Sequence, residues 1–433
     1  SNCRHPSFLI RSSSYSMAAA ENRALVKFAG KDDQTMGRKR STAEFLKKYL
    51  LAGQKTSEDL AGNSAPPSAF DEFCAKYRKW IALIAPFLIV QIVYWLLAAK
   101  NDLYHLFPEY WAIGLIMAFG AFVGGATAEG GGAIAFPILT LAFHVKPAIA
   151  RDFSAMIQTV GLNSAAASIR IMDVLIESHT LFFCTLGGTI GTITCLEFIS
   201  AHLSPTVKKV AFVSVFFSFA IALFILNREK KRVTYDKIPN FGIKEALVLF
   251  VTGLIGGVFS GIAGTGLEVF AFSVITLLYR INEKVATPTT VSMAGLNSAI
   301  VFFWRHFMQQ QIEPLAWHYF AVCVPIVVIF APIGSLISSY LHRQMLASFI
   351  YILETVALIS AFIVLQPGLD MYLLSFIIIL VALIFFSALS HIGKKRMHEF
   401  ESKERKRTTK RNSIADSATE LNAIVTGTRF SLA

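Results

Sequence analysis

The feature that most restricts this chain is a train of long apolar blocks separated by short polar connectors. At about 1.5 Å per residue, a helix of about 20 residues crosses the roughly 30 Å hydrocarbon core of a bilayer, and most of the blocks are of that order. Twelve blocks can be marked, at 80–99, 111–129, 132–144, 151–172, 178–200, 206–226, 243–263, 266–280, 285–304, 315–340, 346–366 and 371–392. Two of them are short. Gly132 to His144 yields only about 20 Å of helix, and Gly266 to Arg280 little more, so each is expected to be a half-helix folded against a neighbour as a hairpin. Lipid offers the backbone no hydrogen-bond partners, which leaves helices as the spanning element for such blocks. The expected fold is all-α, a polytopic transmembrane helical bundle.

Composition agrees. Apolar residues form 54% of the chain and aromatic residues 12%, which excludes an ordinary water-soluble domain. The net charge of +12 would suit nucleic acid, but the basic residues flank apolar blocks, and that is how topology is encoded; no nucleic-acid partner is expected. Lys76, Arg78 and Lys79 precede the first block, Arg228, Lys230, Lys231 and Arg232 fill the central connector, and Lys394, Lys395 and Arg396 follow the last block. All three groups, and with them both termini, are expected in the cytoplasm, with Lys208 and Lys209 dissenting on the other side. Residues 1–79 read as a polar, mostly disordered region, 80–392 as the transmembrane domain and 393–433 as a basic disordered tail. No leader is expected, because the apolar run from Phe8 to Ile10 is far too short. Cys184, Cys195 and Cys323 lie inside apolar blocks, Cys3 and Cys74 in the polar N-terminal region, with neither a disulfide framework nor a zinc spacing.

The chain repeats itself. Gly161-Leu-Asn163-Ser-Ala165 recurs in the second half as Gly295-Leu-Asn297-Ser-Ala299. Upstream of each copy lies a glycine-rich break, Gly124 and Gly125 followed by Glu129, Gly130, Gly131 and Gly132 in the first, Gly256 and Gly257 followed by Gly261, Gly264 and Gly266 in the second. At the same offset Gly132 matches Gly266 and Phe136 matches Phe270. Repeat one covers about 111–226 and repeat two 243–366, each with five legs. An odd number forces opposite orientations, so two inverted repeats are expected, each with a glycine-broken half-helix hairpin whose tip nears the midplane.

The chemistry expected at the tips follows from backbone geometry. Glycine lets the chain turn sharply and a ligand approach the main chain. Half-helices starting near Gly132 and Gly266 carry unpaired N–H groups and the positive end of the helix dipole, a natural anion site. The candidate substrate-binding residues are Gly130, Gly131, Gly132, Asn163, Thr265, Gly266 and Asn297, with Thr127 and Ser260 hydroxyls nearby in sequence. Glu129 and Glu268 are the only acidic residues in the glycine-rich hairpins and are the candidates for proton coupling. For any single glycine, close helix packing explains the residue about equally well. Trp304, Arg305 and His306 read as interfacial anchors, and Lys146, Arg151, Arg280 and Lys284 as helix-end charges. Neither the His-Glu-x-x-His nor the Gly-x-Ser-x-Gly pattern occurs in the spans, so no catalytic residue and no enzyme activity are expected.

The glycine breaks, the run Gly130-Gly-Gly-Ala-Ile-Ala-Phe-Pro137 and the stretch from Gly253 through Lys284 to Thr290 resemble the TauE/SafE family of sulfite and organosulfonate exporters. The resemblance spans about 111–390, and the second motif departs from the pattern with Glu268 in the half-helix and Ala271 where proline is common. It implies a permease for small sulfur-containing anions, with no organic cofactor and no metal. The expected partners are a small-molecule anion and the lipid bilayer, and a homo-oligomer is compatible with such a bundle. Two alternatives stay open: a cation transporter or channel using Glu129 and Glu268 as ligands, and a non-transporting membrane scaffold.

Overall fold

The computed structural model describes residues 69–127, 129–227, 234–341 and 343–430. The N-terminal region up to residue 68 and the basic residues Arg228, Lys230, Lys231 and Arg232 of the central connector lie outside the described residues.

Among the described residues twelve helical segments follow one another: α1 (Ala69–Lys100), α2 (Leu106–Ala126), α3 (Gly132–Ala142), α4 (Pro147–Ile171), α5 (Ser178–His202), α6 (Pro205–Asn227), α7 (Ile243–Ala263), α8 (Leu267–Leu278), α9 (Glu283–Met308), α10 (Pro314–Tyr340), α11 (Arg343–Leu365) and α12 (Leu369–Phe430). Among the described residues, nine helices are long and apolar enough to cross a membrane, and α3 and α8 are the short apolar pieces. Among those residues the only β contact is an isolated bridge between Tyr235 and Ile281.

α4 is the long helix outside those nine. It carries Arg151, Asp152, Ser154 and Gln158 and buries all four, so its polar side chains face protein. α12 continues beyond residue 393 to Phe430, where the sequence suggested disorder. Between Lys394 and Thr426 no proline or glycine interrupts a run rich in Lys, Arg, Glu and Ala, which suits continued helix.

The closest crossings join the two halves of the chain. α5 packs along α7, and α2 along α10, while α4 lies against α9 and α10. Glycine makes the first two possible: a Cβ at Gly187 or Gly257 would strike the carbonyl oxygens of Phe250 or Gly188, and one at Gly125 or Gly334 those of Ala331 or Phe122. Small residues thus let backbones approach as they do in membrane bundles generally. α11 and α12 sit outside this frame against α6, and much of their apolar surface is exposed.

α3 and α8 finish alike. Each passes into a π-helical turn, Ile138–Ala142 and Val274–Leu278. Thr140 donates to the Phe136 carbonyl at 2.7 Å, as Thr276 does to Phe272 at 2.6 Å. Val145 N–H reaches Leu139 O at 2.9 Å, as Ile281 N–H reaches Ile275 O at 2.9 Å. In both comparisons Phe136 corresponds to Phe272 and not to Phe270. The half-helix ends therefore match at an offset two greater than that of the repeated pentapeptide, so the stretch joining them is longer in the first copy.

Connector contacts mark two ends of the bundle. Lys146 pairs with Glu313 at 3.3 Å at one end. At the other, Tyr235 bridges Ile281 and Arg396 meets Glu245 at 3.5 Å. Full-length α9 runs between the two.

Candidate functional site

The first tip begins where α2 stops. Thr127 closes the helix, its N–H reaching Val123 O at 2.8 Å, and its hydroxyl accepts the Glu129 N–H at 3.3 Å. Gly130 then takes φ +74°, and α3 starts at Gly132. In the second tip Gly264 and Gly266 take φ +81° and +143°, conformations that strain any residue with a Cβ. Ser260 Oγ accepts the Leu267 N–H at 3.0 Å and thereby caps α8.

The two tips touch. Thr265 Oγ1 lies 3.2 Å from the Glu129 carbonyl oxygen. A Cβ on Gly132 would come within 2.8 Å of Thr265 Cβ and of Gln158 Nε2. Gln158, from α4, holds the second tip beside the first: its Nε2 donates to Ser154 O and to Gly264 O, both at 3.1 Å, and lies close to Gly132. Around Gly130 three oxygens converge, since a Cβ there would meet Gln158 Oε1 at 2.6 Å, Glu268 Oε1 at 2.8 Å and Thr265 Oγ1 at 3.0 Å. Gln158 Oε1 is buried and has no hydrogen-bond partner among the described residues.

The carboxylates occupy different settings. Glu268 turns back on its own half-helix, facing the backbone N–H groups of Gly266 and of itself and bonding to the Thr265 hydroxyl. Glu129 has no such support. It is wholly buried, neither of its oxygens has a partner of ordinary geometry among the described residues, and the charged groups that act on it are Glu354 and Glu268.

Of the sequence candidates, Gly130, Gly131, Gly132, Thr265, Gly266, Glu129 and Glu268 are gathered at the junction of the tips. The asparagines lie in helix crossings. Asn163 Nδ2 donates to Gly295 O at 2.9 Å and Thr159 O at 2.7 Å, which seats one copy of the repeated pentapeptide on the other. Asn297 Oδ1 accepts from Thr192 of α5 at 3.2 Å. Sequence reasoning passed over Gln158 and Glu354. The signal for Glu354 was present, a lone carboxylate inside an apolar block; Gln158 offered none, being one polar residue on a helix with several.

A buried basic cluster flanks the second tip. Asp152 accepts Arg305 through Nε at 3.0 Å and Nη2 at 2.8 Å, and also Arg151 Nε at 2.9 Å. Arg151 Nη1 and Lys208 Nζ both reach Ser200 Oγ, at 3.0 and 3.3 Å, and Lys209 Nζ reaches the Thr140 carbonyl at 2.8 Å. The Arg151 carbonyl oxygen lies 2.5 Å from where a Gly264 Cβ would be, so the cluster borders the tip directly. Arg305 was expected as an interfacial anchor; instead it is buried in this ion pair, because the π-helical turn Trp304–Met308 rotates it inward.

Apolar helices of spanning length, interrupted by two touching hairpins, define a multi-pass membrane protein. The model of the sulfite exporter TauE/SafE family matches residues 112–361, more than half of the chain and both tips, and the protein belongs to that family. Neither a curated protein nor a solved structure matches the chain.

Proposed function

We propose that this permease is a secondary transporter of small oxyanions such as sulfite or organosulfonates, coupled to protons, and that it binds its substrate where the two tips meet. The observation that carries the reading is the contact of Gly130–Gly132 with Thr265–Glu268 across the centre of the bundle. Two half-helices begin there, and a helix start favours a negative partner; in α8 the Glu268 carboxylate and Ser260 Oγ already take that place. The basic cluster of Arg151, Arg305, Lys208 and Lys209 supports an approach route for anions beside the second tip, since it outnumbers the Asp152 carboxylate within it. The matched crossings and half-helix ends in the two halves support a pair of inverted repeats, with both termini on the cytoplasmic side as the basic flanks suggest.

Coupling follows from Glu268. Its carboxylate already occupies the N–H groups of the second half-helix, so an oxyanion entering there meets a like charge. Protonation of Glu268 removes the repulsion and turns the carboxyl into a donor. The Thr265 hydroxyl has one proton but contacts two acceptors, Glu268 Oε1 and Glu129 O; both bonds form together when Glu268 donates to Thr265 and Thr265 to Glu129 O.

The test is flux of labelled sulfite and methanesulfonate in proteoliposomes. Wild-type uptake should rise with an inward proton gradient, and Glu268→Gln should flatten its pH dependence. Absence of flux of either anion in wild type sinks the reading. The oxygens converging on Gly130 favour a second reading, a cation site; uptake competed by sodium or potassium salts regardless of anion would favour it.

A further inference from the structure

One group in the described part of the bundle has no place in the transport scheme so far. Glu354 lies at the middle of α11, a helix whose apolar side chains Ile352, Val356, Ile359 and Ile363 are exposed, yet Glu354 itself is wholly buried. The stretch of α11 from Phe349 to Ser360 runs along the first hairpin, forming a groove with Ala133, Ile134, Pro137 and Ile138, and Phe349 contacts Phe119 of α2. That seating turns the Glu354 carboxyl toward the first tip, where it interacts with Glu129.

All four oxygens of Glu129 and Glu354 are buried, and none has a hydrogen-bond partner of ordinary geometry among the described residues. The groups acting on the pair from the elements around it are themselves or acidic: Glu268 is the third charged group that Glu129 feels, and no cation is among them. On α6, which α11 packs against, Lys208 and Lys209 are engaged at its first turns with Ser200 and Thr140. Tyr351, one turn from Glu354, accepts a bond from Asn227. Two charged carboxylates buried beside each other, with no cation acting on them among the described residues, are strongly disfavoured. Among the described residues no third His, Cys, Asp or Glu joins them in a geometry fit for a metal ion. The unsatisfied Gln158 Oε1 beside Gly130 adds a further buried acceptor and no positive charge near the first tip. What the arrangement lacks is hydrogen-bond donors, and the smallest species that supplies one is a proton.

We propose that Glu354 and Glu129 form one proton-holding pair, sharing a proton between their carboxyls, and that this pair takes up and releases a coupling proton besides the one carried by Glu268. Glu354 comes from a helix at the edge of the frame, so withdrawal of α11 separates the pair and exposes the proton, while its return closes the pair again. Glu268, bonded within its own tip, keeps the proton that answers the anion. The pair adds a residue to the transport reading above and rests on it for the coupling, though not for the presence of the proton.

Two measurements on the full-length chain test this. Infrared spectra of the purified protein in H₂O and D₂O should show protonated-carboxyl absorption at neutral pH. Part of it should move in Glu129→Gln and in Glu354→Gln and vanish in the double variant. A double-variant spectrum identical to wild type overturns the pair whether or not any anion is transported. In proteoliposomes, the ratio of pH-driven sulfite accumulation to sulfite exchange at equal pH should fall at least about tenfold in Glu354→Gln, within the usual range of site-to-site coupling. Glu354→Asp should keep part of it. An unchanged ratio in a folded Glu354→Gln protein, or wild-type uptake driven by a sodium gradient and not by a pH gradient, overturns the assignment. Lack of any sulfite exchange in wild type would count against the transporter reading alone, and the infrared result would still judge the pair.

Discussion

At the scale of single residues, the glycines of the first tip separate into two kinds. Gly130 has φ +74° and no room for a methyl group, with Gln158 Oε1 2.6 Å from the position a Cβ would take. Gly130→Ala should therefore cost about 1–2 kcal/mol from the left-handed backbone alone, with the collision added, read as a lower unfolding temperature in detergent. Gly131 has ordinary φ of −66°, and a Cβ there meets nothing nearer than Gly120 O at 3.4 Å. Gly131→Ala should leave stability within about 0.5 kcal/mol of wild type and yet reduce sulfite flux, because the added methyl intrudes only on a ligand. Equal flux in a folded Gly131→Ala protein would argue that no substrate approaches this part of the main chain. The sequence displayed these glycines plainly, since a Gly-Gly-Gly run inside an apolar block has few other uses. It did not display the role of Glu354, whose partner Glu129 lies in the other half of the chain and whose position depends on which way one helix face turns.

At the scale of elements, the hairpins and their order were legible because glycine breaks and block lengths are local properties. The helix that follows the first hairpin differs in character from what its length suggests. α4 reads as one more span, but its polar residues are buried by protein, and Asp152 within it holds the first turns of α4, the end of α9 and, through Arg151, the end of α5 in one knot. Asp152→Asn should leave two buried guanidinium groups poorly compensated and cost about 3–5 kcal/mol of stability, seen as a large drop in unfolding temperature. Replacing Lys146, whose pair with Glu313 is exposed, should change little. The ion-pair knot could not be read from the sequence because Arg151, Asp152, Ser200 and Arg305 meet only after three helices have packed. Arg305 was deceptive for a related reason: a π-helical turn shifts the helix face by part of a turn, which a regular helical period does not anticipate.

For the whole molecule, the arrangement implies that Lys146 and Glu313 face one side of the membrane and Glu245, Ile281 and Arg396 the other. Single cysteines placed at 146 and at 245 in a background lacking the native cysteines should be labelled by an impermeant thiol reagent from opposite sides, with 245 on the cytoplasmic face. Labelling of both from one side would overturn the proposed inverted repeats. The pairs α5–α7 and α2–α10 cross at glycines that leave no room for a side chain, and α12 meets the end of α8 at Gly393, whereas α11 lies against α6 with much of its surface bare. Glu354 thus stands on a wall with protein on one side and acyl chains on the other. The work of shifting that wall includes deforming the surrounding lipid, which depends on hydrophobic thickness, so the bilayer itself enters the energetics of releasing a proton from the centre of this protein.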